Sequence, residues 1–171
     1  LQQLSIELNT LGCPKCRERY HLALQAFLAQ AGDEDLCPDC QRRKTTNPLR
    51  VLDCKVPTCR QKVEHAPRTI DHVCEDCLAH FQSVLTQLEA LEVPYALNHR
   101  LVRGLDYSQR TTFEVVATDI GAQSSVAGGG RYDGLVRDLG GPDVPGIGFA
   151  CGMERLAMIL GQVWARHLDF Y

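Results

Sequence analysis

Eight of the nine cysteines in the sequence form four tight pairs, and this spacing constrains the fold more than any other feature. The pairs are Cys13–Cys16, Cys37–Cys40, Cys54–Cys59 and Cys74–Cys77. Two thiolates on one turn can reach the same ion at about 2.3 Å, so four pairs can supply two tetrahedral zinc sites. A disulfide framework seldom has four tight pairs, and a redox site needs only one pair. Reduced core thiols are the remaining alternative to zinc.

The sequence is a weaker guide to which two cysteine pairs share one metal site. A predicted helix at residues 16–31 is about 22 Å long at 1.5 Å per residue. The next five residues, 32–36, span at most about 17 Å. Cys37 could therefore lie beside Cys13 only if this segment ran almost straight back along the helix. We therefore expect the first pair to combine with the third and the second with the fourth. Combination of neighbouring pairs in order is the alternative.

Composition divides the chain near residues 12 and 94. The outer parts, residues 1–11 and 95–171, contain alternating, strand-like patterns and are predicted to form one domain. The middle part, residues 12–94, is predicted to be a small helical, cysteine-rich domain inserted into it. The sequence therefore predicts an α+β fold, with an antiparallel sheet flanked by helices and interrupted by this insertion.

Three segments, 16–31, 74–91 and 152–164, have apolar residues at helical spacing. The stretch that follows the first segment, from Gly32 through TTNPLR, is polar and rich in turn residues. The apolar stripes predicted to face a core are Tyr20, Leu24, Phe27, Leu28 and Ala31; Phe81, Val84, Leu85, Leu88 and Leu91; and Leu156, Ile159, Leu160 and Val163.

Charge and hydropathy argue against two classes of protein. The 18 Lys and Arg against 21 Asp and Glu give a net charge of −3, so any nucleic-acid contact must be local. The apolar runs are too short to span a bilayer, and residues 1–12 lack the basic start and apolar core of a secretory signal. We therefore expect a cytoplasmic protein with no membrane partner.

Arg103 lies near the start of a long predicted strand in LVRGLDYSQRTTFE, residues 101–114. A half-buried guanidinium needs an anion as its partner. That anion is either a carboxylate of the protein, which would make Arg103 structural, or a ligand.

Two further segments could bind ligands. In AGGGRYDGL, Gly128–Gly130 leave one surface bare beside Tyr132, which permits close approach by a ligand or another backbone. In FACGMER, Arg155 falls in the first turn of a predicted helix, where anions are favoured. The alternatives are a core tyrosine and a solvated surface arginine.

Taken in this order, LVRGLDYSQRTTFE, GGGRYDGL and GFACGMERL resemble the second half of the catalytic domain of histidyl-tRNA synthetases. The stretches LNTLG and TNPLRVLDCK are similar to that family as well, so the resemblance covers nearly the whole chain. It implies a class II synthetase core, an antiparallel sheet flanked by helices. Residues 12–94 would be the insertion domain between motif 2 and motif 3.

The resemblance implies roles for individual residues. Arg103 would be catalytic, contacting the α-phosphate of ATP and the carboxylate of histidine and offsetting charge as the adenylate forms. Tyr107 and Tyr132 would line the pocket for the histidine side chain, and Gly128–Gly130 would form its floor. Arg155 would hold a phosphate of ATP, which enters with Mg²⁺.

One residue departs from the family pattern. The family usually has a second tyrosine after Tyr107, and this sequence has Ser108. A serine lacks the ring but keeps a hydroxyl, so it can still contact the imidazole of histidine through water. The departure puts the affinity or the specificity for histidine in question.

The family also has parts that this sequence does not match. Motifs 1 and 2 would precede Leu1, and the anticodon-binding domain would follow Tyr171. Motif 1 forms the homodimer in the family. We therefore expect the chain to be a fragment that does not aminoacylate by itself and whose sheet has an unsatisfied edge.

The insertion would reach toward the acceptor arm of tRNA(His). Arg42, Arg43, Lys44 and Arg50 crowd into QRRKTTNPLR, a pattern that suits phosphate contacts. Residues 12–94 contain 11 Lys or Arg against 12 Asp or Glu, so a solvated helix face is the alternative. Zinc would then be structural, replacing apolar core that a small domain lacks.

Two rival functions remain open. A synthetase-like paralogue without aminoacylation, such as the regulatory subunit of ATP phosphoribosyltransferase, agrees with Ser108 but need not retain RGLDY, GGGRYDGL and GMER. A zinc-clamped nucleic-acid-binding module accounts for residues 12–94 but leaves Arg103, Tyr132 and Arg155 unexplained.

Overall fold

A five-stranded sheet forms one side of the molecule. The computed structural model describes residues 4–32, 34–103, 107–117 and 125–168, the last range with side chains as far as Gly161. The strands occur in the spatial order β2-β1-β3-β4-β5. Their bounds are β1 Leu4–Thr10, β2 Tyr95–Leu97, β3 Gln109–Ala117, β4 Ser125–Arg131 and β5 Ile147–Cys151.

The pairing of β1 with β2 differs from the predicted antiparallel sheet. The pairs β1–β3, β3–β4 and β4–β5 are antiparallel, whereas Ile6–Leu8 pair in parallel with Tyr95–Leu97. Parallel neighbours need a long crossover connection, and residues 11–94 provide one. The predicted mixed fold, a sheet flanked by helices, is otherwise confirmed.

In the described part of the chain, five α-helices and one short 3-10 helix, Thr69–His72, lie between β1 and β2. The α-helices are α1 Pro14–Ala29, α2 Pro38–Thr46, α3 Leu49–Leu52, α4 Pro57–Val63 and α5 Glu75–Ala90. The predictions for α1 and α5 are correct to within two residues. The stretch predicted to be turn-rich, which ends with TTNPLR, contains α2 and the start of α3. Three of the five helices begin with proline at the first position, which favours helix initiation although the following residues are polar.

The helices α1 to α4 share one apolar core. Tyr20, Leu24 and Leu28 of α1 are at most 1% exposed, and this part of the predicted stripe is confirmed. The other buried members of the core are Ala31, Leu36, Cys40, Val51, Leu52, Cys59 and Val63. The stripe of α5 is buried only in part, since Phe81 is 2% exposed but Leu91, which the sequence predicts to be buried, is 72% exposed.

On the sheet side, α6 Leu135–Asp138 follows β4 and α7 Met153–Leu168 follows β5. Ile159 of α7 packs with Ala117 and Val126, as predicted, but Leu160 is 48% exposed because it points away from this small core. The predicted core residue Val163 lies outside the side chains that the structure describes. Among the described helices, none combines the length and apolar character needed to cross a membrane.

Candidate functional site

Arg103 projects onto the strands β3 and β4, where its guanidinium makes several polar contacts. Its Nη1 lies 3.3 Å from Oε1 of Glu114, and its Nη2 donates to the carbonyl of Phe113 at 2.6 Å. Its Nε donates to the hydroxyl of Thr112 at 3.3 Å. The side chain is 24% exposed, so the protein fixes the guanidinium while leaving part of it accessible. Glu114 is a protein carboxylate, one of the two possible partners that the sequence left open, and a role for Arg103 in ligand binding stays a prediction.

The three glycines of β4 make room for different neighbours. A Cβ atom at Gly128 would lie 1.8 Å from Nη2 of Arg103, so the guanidinium rests directly on this residue. A Cβ atom at Gly129 would lie 2.2 Å from the carbonyl oxygen of Gly148, and one at Gly130 would lie 2.6 Å from that of Thr111. Gly128 therefore accommodates the arginine, whereas the other two glycines accommodate backbone of the adjoining strands.

Tyr107 and Tyr132 come together although they are far apart in sequence. Their ring centroids are 5.3 Å apart and the rings meet edge to face at 80°, a geometry that aromatic pairs favour. The hydroxyl of Tyr132 donates to the carbonyl of Gly148 at 3.2 Å. Both rings are half-buried. The structure thus brings the two predicted pocket residues into one aromatic pair.

Ser108 follows Tyr107 and is 2% exposed. Its carbonyl accepts a hydrogen bond from Arg17 of α1. Its hydroxyl is buried and has no hydrogen-bond partner among the described residues. A buried hydroxyl without a partner costs about 1–3 kcal/mol, so this group is suited to a partner from outside the chain.

Arg155 lies in the first turn of α7, as the sequence predicts. Its Nη1 donates to the carbonyl of Ser125 at the start of β4. The structure therefore places Arg155 against the same strand on which Arg103 rests. Gly104, Leu105 and Asp106, which connect Arg103 to Tyr107, lie outside the described residues.

A cavity of about 510 Å³ opens between α1, the α2–α3 turn and Arg103. Arg50 lines it together with Arg17 and Arg103, so one predicted tRNA contact shares a cavity with the predicted catalytic arginine. The other three predicted contacts, Arg42, Arg43 and Lys44, lie on α2 and do not line it. Nη2 of Arg42 pairs with Oδ1 of Asp39 at 2.8 Å, an exposed i,i+3 ion pair typical of a solvated helix.

The eight paired cysteines form two quartets, as predicted. The junction quartet, next to the sheet, is Cys13, Cys16, Cys74 and Cys77. The distal quartet is Cys37, Cys40, Cys54 and Cys59.

The predicted combinations of cysteine pairs are both wrong, because the quartets are nested. The first pair combines with the fourth, and the second with the third. The length of α1 does separate the first pair from the second, as expected. However, α2 and α3 keep the third pair beside the second, and the chain returns to the start of α1 only at α5.

The sulfur positions in each quartet suit a tetrahedral metal ion. All four Sγ atoms lie within 4.8 Å of one another, and Cys13 Sγ is 3.4 Å from Cys16 Sγ. Four sulfurs at about 2.3 Å from a central zinc would be about 3.8 Å apart. All eight cysteines are free thiols, two buried and two half-buried in each quartet.

Backbone amides stabilise negative charge in both quartets. The amide of Cys74 donates to Cys16 Sγ at 3.1 Å, and the amide of Cys37 donates to Cys59 Sγ at the same distance. Burial opposes ionisation of Cys16, but the backbone hydrogen bonds from Cys74 and Cys13 outweigh it and lower its pKa to about 6. Burial raises the pKa of Cys77 to about 12. A cation among the sulfurs would favour the thiolate form of both residues.

His80 of α5 contacts Arg131 at the end of β4, and sequence reasoning missed this contact. Its Nε2 lies 2.9 Å from Nη1 of Arg131, and Nε of Arg131 pairs with Asp133 at 3.0 Å. Burial, followed by the charge of Arg131, lowers the pKa of His80 and favours the neutral ring that can accept this hydrogen bond.

Sequence reasoning also missed Glu114 and Arg17. Glu114 and Thr112 lie two residues apart on β3, so both side chains are on the same face of the strand, toward Arg103. That alternation was a usable signal. Arg17 and His80 had none, because their partners are 91 and 51 residues away in sequence.

The chain is similar in sequence to histidyl-tRNA synthetases over most of its length. A family model described as histidyl-tRNA synthetase matches residues 20–156. The histidine–tRNA ligase of Oleidesulfovibrio alaskensis is 63% identical over 162 residues, which is 95% of this chain and 39% of that protein. The histidine–tRNA ligase of Nitratidesulfovibrio vulgaris is 61% identical over 171 residues, 100% of this chain and 41% of that protein. The chain thus spans about two fifths of the length of these relatives.

Solved structures show the same fold. The apo histidyl-tRNA synthetase of S. aureus superposes with a TM-score of 0.69 at 35% identity, covering 94% of this chain and 39% of that one. The histidyl-tRNA synthetase of Nostoc sp. PCC 7120, at 19% identity, superposes with a TM-score of 0.51 and supports the fold alone.

Proposed function

Because this chain belongs to the histidyl-tRNA synthetase family, we propose that its full-length protein is a histidine–tRNA ligase. It activates histidine with ATP to histidyl-adenylate and transfers the histidyl group to tRNA(His). The observation that carries this proposal is the fixed, partly accessible guanidinium of Arg103 on Gly128, beside the segments that bear the paired rings of Tyr107 and Tyr132.

Arg103 acts in the activation step. A carboxylate oxygen of histidine attacks the α-phosphorus of ATP, the bond from that phosphorus to the bridging oxygen breaks, and pyrophosphate leaves. Negative charge grows on the oxygens of the α-phosphate during this displacement. A guanidinium held in advance by Glu114 and the carbonyl of Phe113 stabilises that charge without reorganising.

The aromatic pair supplies the pocket for the side chain of histidine. Tyr107 and Tyr132 offer ring faces and edges, and Ser108 adds a buried hydroxyl that has no partner among the described residues. Gly128–Gly130 form the floor, with Gly128 beneath Arg103. Arg155 holds a phosphate of ATP from the start of α7, and Mg²⁺ enters with the nucleotide.

Residues 12–94 act as the insertion domain that contacts the acceptor arm of tRNA(His). The shared cavity of Arg50 and Arg103 supports this assignment, since the acceptor end must reach the adenylate. Arg42, Arg43 and Lys44 contribute phosphate contacts farther along the arm. Such contacts supply affinity rather than sequence recognition.

Each cysteine quartet holds one structural Zn²⁺, so the chain binds two ions. The nested quartets, the sulfur separations and the amide donors to Cys16 and Cys59 support this assignment. The ions join segments of a polar, small helical region whose apolar core contains only about ten buried residues.

The full-length protein works in the cytoplasm as a homodimer, through a region outside the present chain. The exposed side chains of Ile147 and Phe149 on the edge strand β5, at 82% and 72%, support a covering segment from the remaining chain. The present chain, which spans about two fifths of the length of its relatives, is inactive by itself.

The test is transfer of radiolabelled histidine to tRNA(His) by the full-length protein and by its Arg103→Gln variant. Arg100→Gln is the matched control, because Arg100 is exposed and lies three residues upstream. We expect Arg103→Gln to lower the rate by about 100-fold or more and the control to change it less than about twofold. Equal rates for both variants would refute the role of Arg103.

A further inference from the structure

The junction quartet, Cys13, Cys16, Cys74 and Cys77, lies where two helices begin. Cys13 is the N-cap of α1 and Cys74 is the N-cap of α5, so an ion among these sulfurs would hold both helix starts together. The quartet is also attached to β3. The amide of Leu11 donates to the carbonyl of Arg110 at 2.7 Å, and the amide of Arg110 donates to the carbonyl of Gly12 at 2.8 Å.

Each of the two helices makes one polar contact with a segment that bears a tyrosine of the amino-acid pocket. From α1, Arg17 donates to the carbonyl of Ser108, which follows Tyr107. From α5, His80 contacts Nη1 of Arg131 at 2.9 Å, and Arg131 precedes Tyr132. Arg17 follows the ligand Cys16 directly, and His80 lies one helical turn after the ligand Cys77.

These contacts converge on a single aromatic pair. The rings of Tyr107 and Tyr132 meet edge to face at 5.3 Å, so a displacement of either segment changes the space beside both rings. Asp133 reinforces the arrangement, since its carboxylate pairs with Arg131 at 3.0 Å and approaches Nε of Arg110 at 3.9 Å.

We propose that a metal ion in the junction quartet positions the amino-acid pocket. The ion fixes the starts of α1 and α5, and through Arg17 and His80 it sets the relative placement of Tyr107 and Tyr132. Arg17 and His80 are positioning residues, since they reach the pocket through Ser108 and Arg131. This inference rests on the proposed function for the identity of the amino acid, histidine.

The distal quartet provides an internal comparison. Cys40 and Cys59 belong to the apolar core shared by α1 to α4, and the amide contact within this quartet, from Cys37 to Cys59, is local to it. An ion in the distal quartet therefore stabilises the helical region itself. The two ions, although chemically alike, are expected to affect different properties.

The experiment compares Cys77→Ser with Cys59→Ser in the full-length protein. Both cysteines are buried in a helix, at 1% and 0% exposure, so the substitutions are matched in chemistry and environment. Zinc content is measured first, and each variant is expected to lose one of two ions. Hydrogen exchange of the peptide covering residues 107–117 and the KM for histidine in ATP–pyrophosphate exchange are then measured.

Cys77→Ser is expected to accelerate exchange of residues 107–117 by about tenfold and to raise the KM for histidine by a similar factor. The KM for ATP is expected to rise less than the KM for histidine, because Arg155 contacts the carbonyl of Ser125, away from the residues next to the quartet. Cys59→Ser, which removes the ion that stabilises the helical region, is expected to change both readouts by clearly less than Cys77→Ser does. Equal effects of the two variants, or unchanged exchange in Cys77→Ser, would overturn the proposal.

Arg17→Gln and His80→Gln keep the test decisive if Cys77→Ser fails to fold. Both retain all eight cysteines and are expected to keep two zinc ions while reproducing the faster exchange and the higher KM for histidine. If neither variant changes these readouts, the contacts do not position the pocket. Hydrogen exchange does not require turnover, so it tests the proposal even where the wild-type protein lacks exchange activity with histidine.

Discussion

Replacement of Gly128 by alanine tests how closely Arg103 depends on the backbone of β4. A Cβ atom there would lie 1.8 Å from Nη2 and 2.8 Å from Cζ of Arg103, and both distances are shorter than van der Waals contact allows. The guanidinium must therefore leave its position. It then loses the hydrogen bond to the carbonyl of Phe113 at 2.6 Å and the ion pair with Glu114 at 3.3 Å.

The expected magnitudes follow from these losses. A hydrogen bond to a charged group contributes about 1.5–3 kcal/mol, so the free energy of unfolding should fall by about this amount. Displacement of a donor from the reacting phosphate costs about 2.7–4 kcal/mol of transition-state stabilisation, which is a 100- to 1,000-fold loss of kcat.

The assay is histidine-dependent ATP–pyrophosphate exchange by the full-length protein, with urea unfolding measured on the same samples. Gly161→Ala in α7 is the control, because a Cβ atom there meets nothing within 4 Å. Alanine in a helix interior is favourable by up to about 1 kcal/mol, so the control should be active and slightly more stable. A Gly128→Ala protein with kcat within twofold of wild type would refute this account of Arg103.

Four further outcomes are expected. Ser108→Tyr, which restores the family residue, should lower the free energy of unfolding by about 1–3 kcal/mol in urea, because Ser108 is 2% exposed and a ring overfills the site. Arg50→Ala should weaken tRNA binding, measured by filter binding, and should reduce the slope of log K against log salt concentration by about one. Arg42→Ala should cause a smaller change, because the side chain of Arg42 is paired with Asp39. Removal of zinc by a chelator should unfold the helices between β1 and β2, seen as lost helical circular dichroism, because structural zinc contributes about 10–16 kcal/mol. Glu92→Gly should raise the free energy of unfolding by about 0.5–1 kcal/mol in urea, because Glu92 has a φ of 54°.

The cysteine spacing predicted the two quartets but not their nesting. The length of the first helix and of the short segment after it kept Cys37 away from Cys13, so the first and second pairs were not expected to share one site. The choice between the third and fourth pairs depended on α2 and α3, whose polar residues carry little periodicity. The dipeptides Cys13–Pro14 and Cys37–Pro38 were the overlooked signals, since proline after a cap residue marks a helix start.

The candidate site was predictable where its residues lie in one short motif. Arg103, Tyr132 and Arg155 were identified within their motifs, and the structure places the first and last of them against β4. The role of Gly128 was not predictable, because the sequence does not show whether a ligand or an arginine side chain packs on it. Arg17 and His80 were unpredictable for a related reason: they act through contacts between distant segments, which only the assembled fold creates.

The central claim, that the full-length protein activates histidine, is tested most directly by ATP–pyrophosphate exchange with each amino acid in turn. We predict exchange that depends on histidine and is not supported by the other amino acids at the same concentration. Absence of histidine-dependent exchange from a folded protein would contradict the claim and favour a regulatory paralogue that has lost aminoacylation.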